Sequence, residues 1–214
     1  MEAILEKAIV YTKKLFENDF SGHDFDHTHR VFRMAEHLAA EEGADLLTVR
    51  LSALLHDVDD RKLSPETSDN KDNAVSFLRE NDISEEKIRE IVRIIKEISF
   101  VGTDSVTPET IEGKCVQDAD RLDALGAIGI ARTFAYGGSH GRPLHTPEDA
   151  PQISMNQEQY EARQSGSLNH FYEKLFLLKD RMGTATGRHV AEQREAFMRQ
   201  YIEKFLLEWN GEDI

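Results

Sequence analysis

The chain has 214 residues, with 26 lysines and arginines against 40 aspartates and glutamates, a formal charge of −14 with histidine neutral. That length supports one hydrophobic core of ordinary size. The charge excludes general binding to nucleic acid, which needs a basic surface, and docking on anionic membranes. It also repels small phosphorylated molecules unless a bound cation or a local basic cluster reverses the field. A single cysteine, Cys115, leaves no intramolecular disulfide and no cysteine zinc site, and fits a reducing compartment. No apolar run approaches the ~20 residues of a membrane span, and the acidic, amphipathic start does not read as a secretory signal. The expectation is a cytoplasmic protein.

In chain order, Ile4, Leu5, Ala8, Ile9, Leu15 and Phe16 fall near one helical face. Val31 to Ala40 predicts a second helix, with Val31, Met34, Leu38 and Ala39 spaced for burial. Thr48 to Val58 is apolar on most sides, which predicts a central buried helix. Ser84 ahead of Glu85 and Glu86 is an N-cap signal, and Ile88, Ile91, Ile95 and Ile98 then repeat nearer the helical than the strand period. Thr107-Pro108-Glu109 reads as a further helix start, with proline at the first position. Leu125 to Phe134 is another apolar run. Near the end, Leu168, Phe171, Tyr172, Leu175 and Leu178 form one stripe, and Phe197, Met198, Tyr201, Ile202 and Phe205 form another; both are expected in the core.

No two alternating runs meet at a hairpin turn, so the predicted fold class is all-α. Loops are expected at Asp19–Asp26, Arg61–Asn70, Phe100–Val106 and Tyr136–Gln157. The last, rich in glycine and proline and carrying His140 and His145, reads as a flexible surface loop or as a lid closing over substrate. With no repeat and no composition break, the chain reads as a single domain over 1–214, with a motif core at about 20–135 and a helical C-terminal extension at about 157–210.

Three segments concentrate metal-binding side chains: Ser21 to Val31, Leu54 to Lys62, and Gln117 to Asp123. His56 and Asp57 follow a strongly apolar stretch. An unpaired carboxylate there costs several kcal/mol or shifts its pKa, and a divalent cation removes that cost. Imidazole and carboxylate together suit Mn²⁺, Fe²⁺, Co²⁺, Ni²⁺ or Zn²⁺. Adjacent helical side chains diverge by about 100°, so this pair alone does not enclose a metal; His27 and Asp120 are the natural suppliers of further ligands.

The pattern His27…His56-Asp57…Asp120 resembles the H…HD…D signature of the HD-domain metal-dependent phosphohydrolases. His27-Thr28-His29-Arg30-Val31 is similar to the family's first motif, Ala53-Leu54-Leu55-His56-Asp57-Val58 to its HD motif, and Asp118-Ala119-Asp120-Arg121-Leu122-Asp123 to its closing motif, where the aspartate before a basic residue is the ligand. His140 to His145 and His170 to Leu175 resemble a bacterial branch of which some members split nucleoside triphosphates into monophosphate and pyrophosphate.

The resemblance implies an all-α HD helical bundle and a hydrolase of phosphoester or phosphoanhydride bonds. It implies His27, His56, Asp57 and Asp120 as ligands of one divalent ion (Mn, Mg, Ni, Co, Fe or Zn), with His23, Asp24, Asp26 and Asp118 leaving room for a second. By the same resemblance Asp60 is the expected base or water-positioner. Arg30, Lys62, Lys71 and Arg121 are the expected phosphate contacts, with Lys96 a weaker one. The substrate expected is a small phosphorylated molecule, a nucleotide in the first place. A 5′-nucleotidase and a non-catalytic metal or nucleotide sensor are the alternatives, and a di-iron oxygenase is a more distant one. Neither nucleic acid nor membrane is an expected partner; a second copy docking through an exposed helix face is. Of the neighbouring groups, Asp59 reads as a solvated acid, Asp118 as a group orienting a ligand, and Asp123 as an N-cap or a partner of Arg121. His29 reads as a surface residue, His170 as packing or capping the penultimate helix, and Cys115 as buried and inert.

Overall fold

The computed structural model describes residues 2–17, 24–60, 63–98, 106–155, 157–162 and 165–213, without the side chains of 157, 160 and 161. Among the described residues there is no strand, as the lack of hairpin signals predicts. The chain divides into two compact units, with the boundary between Asp120 and Arg121.

The first unit is built around α3 (Leu46–Leu55), which contacts α1 (Glu2–Leu15), α2 (Phe25–Glu42) and α5 (Glu85–Glu97). Val49, Leu51, Ala53, Leu54 and Leu55 are wholly buried, as an all-round apolar helix requires. Each buried leucine contributes roughly 1.5–3 kcal/mol, so α3 is a firm base for whatever follows it. The helix starts earlier and ends earlier than the apolar run predicts. Asp45 caps it, accepting from Leu47 N at 3.2 Å and Thr48 Oγ1 at 2.5 Å. The Thr48 bond, with help from the Lys87 ammonium at 2.9 Å, holds the Asp45 carboxyl down at about 2. At the other end the helix stops at Leu55, and His56–Asp59 form turns instead of continuing it.

The remaining elements of this unit follow their end signals. Asp24 caps α2, and Gly43 closes it with φ of 71°, a left-handed conformation that favours glycine. Ser84 caps α5 by accepting from Lys87 N at 3.3 Å. Ile88, Ile91, Ile95 and Ile98 are all buried. α6 (Ile111–Asp123) begins later than Thr107-Pro108-Glu109 predicts. Thr110 caps it, accepting from Gly113 N at 3.1 Å, while Pro108 is buried ahead of the helix. α4 (Asp72–Glu80) falls outside every predicted element, although Ala74, Phe77 and Leu78 form the buried face at the usual i, i+3, i+4 spacing.

The second unit contains the last turn of α6, α7 (Gly126–Ser139), the short α8 (Gln157–Ala162), a π-helical turn (Phe171–Leu175) running into α9 (Phe176–Leu178), a 3₁₀ turn (Lys179–Arg181), and α10 (Ala185–Asn210). α7 extends four residues into the predicted Tyr136–Gln157 loop, which therefore opens at His140. The Ala124 carbonyl oxygen lies where a side chain on Gly129 would begin, 2.1 Å from an ideal Cβ, so this close approach requires glycine. Leu168, Phe171, Leu175 and Leu178 are core, as expected. The aromatic stripe of α10 is only partly so. Ala191, Met198 and Ile202 are buried, but Phe197 is 49% exposed and Tyr201 and Phe205 are half-buried. Phe197 and Met198 are neighbours, so about 100° of helix separates them. The Met198–Ile202 row faces the core, and the Phe197–Tyr201–Phe205 row is its flank.

Candidate metal centre

Three side chains of the first unit, His27, His56 and Asp57, meet at one point, and Asp120 approaches it on the His27 side. Asp24 accepts a hydrogen bond from His27 N at 2.7 Å, which fixes His27 in the first turn of α2. His56 stands at the C-terminal end of α3, where its Nδ1 lies 2.8 Å from the Ala53 carbonyl. That carbonyl accepts only a proton, so Nδ1 carries the hydrogen and Nε2 presents its lone pair. The turn after α3 then swings Asp57 towards the same point, and Asp120 comes from the end of α6.

His56 Nε2 lies 3.0 Å from Asp57 Oδ2 and 3.3 Å from His27 Nε2. His27 Nε2 lies 3.4 Å from Asp57 Oδ2 and 3.5 Å from Asp120 Oδ1. His27, His56 and Asp57 are 1%, 6% and 8% exposed, and the Asp120 side chain is 28% exposed, the open side of the cluster. Two imidazoles and the Asp57 carboxylate converging at this range, with the Asp120 carboxylate beside His27, call for a cation among them, a metal ion or a proton. Ligands held about 2.1 Å from a shared ion stand about 3.0–3.4 Å apart in octahedral or tetrahedral arrangement, which matches the separations among His27, His56 and Asp57; Asp120 comes into this range of His27. The donor set therefore fits a divalent ion. Burial opposes a charge on His56, but the adjacent Asp57 carboxylate and the charge of Asp120 outweigh it and push the imidazole up to about 9. A proton is thus the competitor for this position.

The convergence of His56 and Asp57 departs from the expected 100° divergence. The helix has ended, so the turn allows two neighbouring side chains to share a point. A larger departure is Asp59. Expected as a solvated acid, it is wholly buried, and its two oxygens accept from Asn73 N at 3.1 Å and Ala74 N at 3.0 Å. It thereby caps the start of α4 from a distance. Lys71 Nζ donates to the Asp59 carbonyl at 3.2 Å, and Asn73 Nδ2 to the Val58 carbonyl at 3.2 Å. These bonds pin the turn that carries His56 and Asp57. The role has no local signal in the sequence, because the cap position of α4 is Lys71, a residue with no capping side chain.

Asp60 follows on the same turn, half-buried, its N–H donating to the Asp57 carbonyl at 2.9 Å. Arg30 is half-buried on α2, three residues after His27. Lys71 lies at the N-cap of α4 with φ of 61°. Lys62 and His23 lie outside the described residues. Arg121 is 4% exposed, with its guanidinium donating to the Arg181 carbonyl in the second unit. Lys96 lines a groove of α4 and α5 to which no ligand-type residue of the cluster contributes. Asp118 is wholly buried within α6. Asp123 pairs with Arg132, and the cap position of α7 is Leu125. Gln117 bridges the carbonyls of Glu97 and Val106 at 2.9 Å each, a structural role the sequence reading passed over. His29 stacks between Phe25 and Phe32, half-buried. Cys115 is buried, and burial pushes its thiol up to about 12, which fits an inert group.

The HD domain family model matches residues 24–125, a span that contains all four clustered side chains. The chain is 37% identical over 206 residues to the uncharacterized protein YpgQ of Bacillus subtilis, covering 93% of this chain and 90% of that one. A crystal structure of an HD-superfamily hydrolase from Bacillus thuringiensis superposes with a TM-score of 0.79 at 42% identity, over 98% of each chain. A Lactobacillus plantarum protein gives a TM-score of 0.86 at 36% identity, over 99% of this chain and 98% of its own. The crystal structure of YpgQ in complex with ADP gives 0.76 at 34% identity, over 98% of this chain and all of that one.

The chain belongs to the HD-domain superfamily of hydrolases, and that membership, with the His27–His56–Asp57 cluster, implies a divalent metal ion as cofactor.

Proposed function

We propose that the protein is a divalent-metal-dependent phosphohydrolase of nucleotides that converts (deoxy)nucleoside triphosphates to monophosphate and pyrophosphate. The observation that supports it most is the convergence of His27, His56 and Asp57, with Asp120 beside His27, within a chain whose relative YpgQ has been crystallised with ADP. Manganese is the ion we assign first, since imidazole and carboxylate in equal number suit it and phosphate oxygens complete its coordination.

His27, His56, Asp57 and Asp120 would hold the ion, which when bound lowers the pKa of water and offsets phosphate charge. The Nδ1–H bond of His56 to Ala53 keeps the ring oriented. Asp60, on the turn beyond Asp57, accepts the proton of the attacking water. Arg30 and Lys71, with Lys62, carry the non-reacting phosphate oxygens, where each charge-assisted bond contributes roughly 1–3 kcal/mol. The overall charge of −14 leaves such a local cationic set as the way to admit a polyanion.

The test is a panel of nucleoside mono-, di- and triphosphates with Mn²⁺-loaded protein and identification of the leaving group. Pyrophosphate from triphosphates is the expected product. Orthophosphate from monophosphates would reassign the protein as a 5′-nucleotidase, and full activity after exhaustive chelation would sink both readings.

A further inference from the structure

Away from the metal centre, α4 and α5 enclose a groove of about 400 Å³, within the range of small-molecule sites. It is lined by four cations, Arg79, Arg89, Arg93 and Lys96, against two acids, Glu85 and Glu97. Its apolar floor is Val75, Ile88 and Val92. None of His27, His56, Asp57 and Asp120 lines it.

The arrangement follows from helix periodicity. Glu85, Ile88, Arg89, Val92, Arg93 and Lys96 follow i, i+3, i+4, i+7, i+8, i+11, one face of α5. Arg79 joins them from α4. In a chain of charge −14, a cluster with twice as many cations as acids reverses the local field. Part of that charge is spoken for: Arg79 makes a paired bond to Glu85 at 2.7 and 3.1 Å, and Arg93 lies 3.9 Å from Glu109. Lys96 makes no hydrogen bond or ion pair among the described residues, and Arg89 contributes only long-range attraction to Glu85. Both are exposed, so their charge is available to a ligand. A second copy docking through the same groove would set these cations against their own kind, which like-charge repulsion opposes.

We propose that the α4–α5 groove is a second ligand site, separate from the metal centre, that takes an oligophosphate carried on a compact apolar body. Guanidinium forks and an ammonium suit phosphate oxygens, and the aliphatic floor suits a base or similar ring. The volume fits one such molecule. The site stands on groove geometry and charge, and does not rest on the reaction proposed above.

The experiment uses the full chain, freed of metal so that nothing is hydrolysed, titrated by calorimetry with inorganic tripolyphosphate and with ATP. Both probes are expected to bind at one site, with affinity falling steeply as salt rises. Arg89→Glu and Lys96→Glu, at exposed positions and checked for unchanged circular dichroism, should each weaken binding at least tenfold. Asp57→Ala should leave it within twofold. ATP is expected to bind more tightly than tripolyphosphate, because the aliphatic floor takes its base, and equal binding would overturn the apolar part of the proposal. No heat of binding at millimolar probe, indifference to both charge reversals, or loss of binding in Asp57→Ala would each overturn the proposal.

Discussion

Replacing Asp59 by alanine tests the link between fold and metal centre. The carboxylate is wholly buried and satisfies two N–H groups in the first turn of α4, at 3.1 and 3.0 Å. Alanine removes two charge-assisted bonds and leaves the buried Ala74 donor, and the half-buried Asn73 donor, without that partner. A capping side chain is typically worth about 1–2 kcal/mol, and a buried unsatisfied donor costs about 1–3 kcal/mol. The combined loss is taken as about 3 kcal/mol. For a chain of this size each kcal/mol moves the melting temperature about 2–4 °C, so Asp59→Ala should melt roughly 6–12 °C lower. Asp59→Asn, which keeps one acceptor, should lose about half as much. Calorimetry on metal-free protein isolates this effect from the stabilisation a bound ion adds. The turn from Val58 to Asp60 also carries Asp57, so metal affinity should weaken about 10–100-fold in Asp59→Ala. A melting temperature within about 2 °C of the parent, with unchanged affinity, would refute the reasoning.

Asp60→Asn should lower kcat by roughly 10²–10⁴-fold, the usual worth of a general base, with metal content unchanged; loss of metal would make Asp60 a ligand instead. Leu54→Ala opens a cavity at the wholly buried centre of α3 and should cost about 2–5 kcal/mol in urea unfolding. Burial first, then the charges of Lys174 and Arg142, push His170 down to about 3. The unfolded chain binds a proton near the ordinary value of 6.5 and the folded chain does not until about 3, so this group's contribution is lost as pH falls from 6.5 towards 3. Allowing for its partial exposure, unfolding free energy should drop by roughly 2 kcal/mol between pH 7 and 4.5 from this source. His170→Gln should reduce that drop, and equal pH dependence in variant and parent would count against it. Gly129→Ala forces a Cβ against the Ala124 carbonyl and should destabilise the α6–α7 connection, read as a lower melting temperature than for Ala substitution at the unhindered Gly138.

The features visible in the sequence are those that act locally or by spacing. The caps at Ser84 and Asp24 sit directly before their helices, and the isoleucines of α5 repeat with the helical period, so those elements are legible. The all-α class follows in the same way, and the His27–His56–Asp57 cluster follows from motifs whose order resembles a known signature. What escaped depends on contacts between distant residues. Asp59 caps a helix that starts thirteen residues later, so its neighbours Val58 and Asp60 say nothing of that role. α4 escaped because a lysine at its cap gives no N-terminal signal, while its buried face is short. Lys96 looked like a phosphate contact for the metal centre because charge alone carries no direction; the face of α5 decides which groove it lines. Phe197 looked like core because its aromatic row runs beside the buried one, and only the packing of α10 distinguishes the two.

The central claim is that His27, His56, Asp57 and Asp120 hold one divalent ion. Its most direct test is elemental analysis of the purified protein after dialysis, beside Asp57→Ala and His56→Ala variants with parental helical content. About one ion per chain is expected in the parent, as one four-ligand site requires, and almost none in either variant. Equal metal content in parent and variants would contradict it.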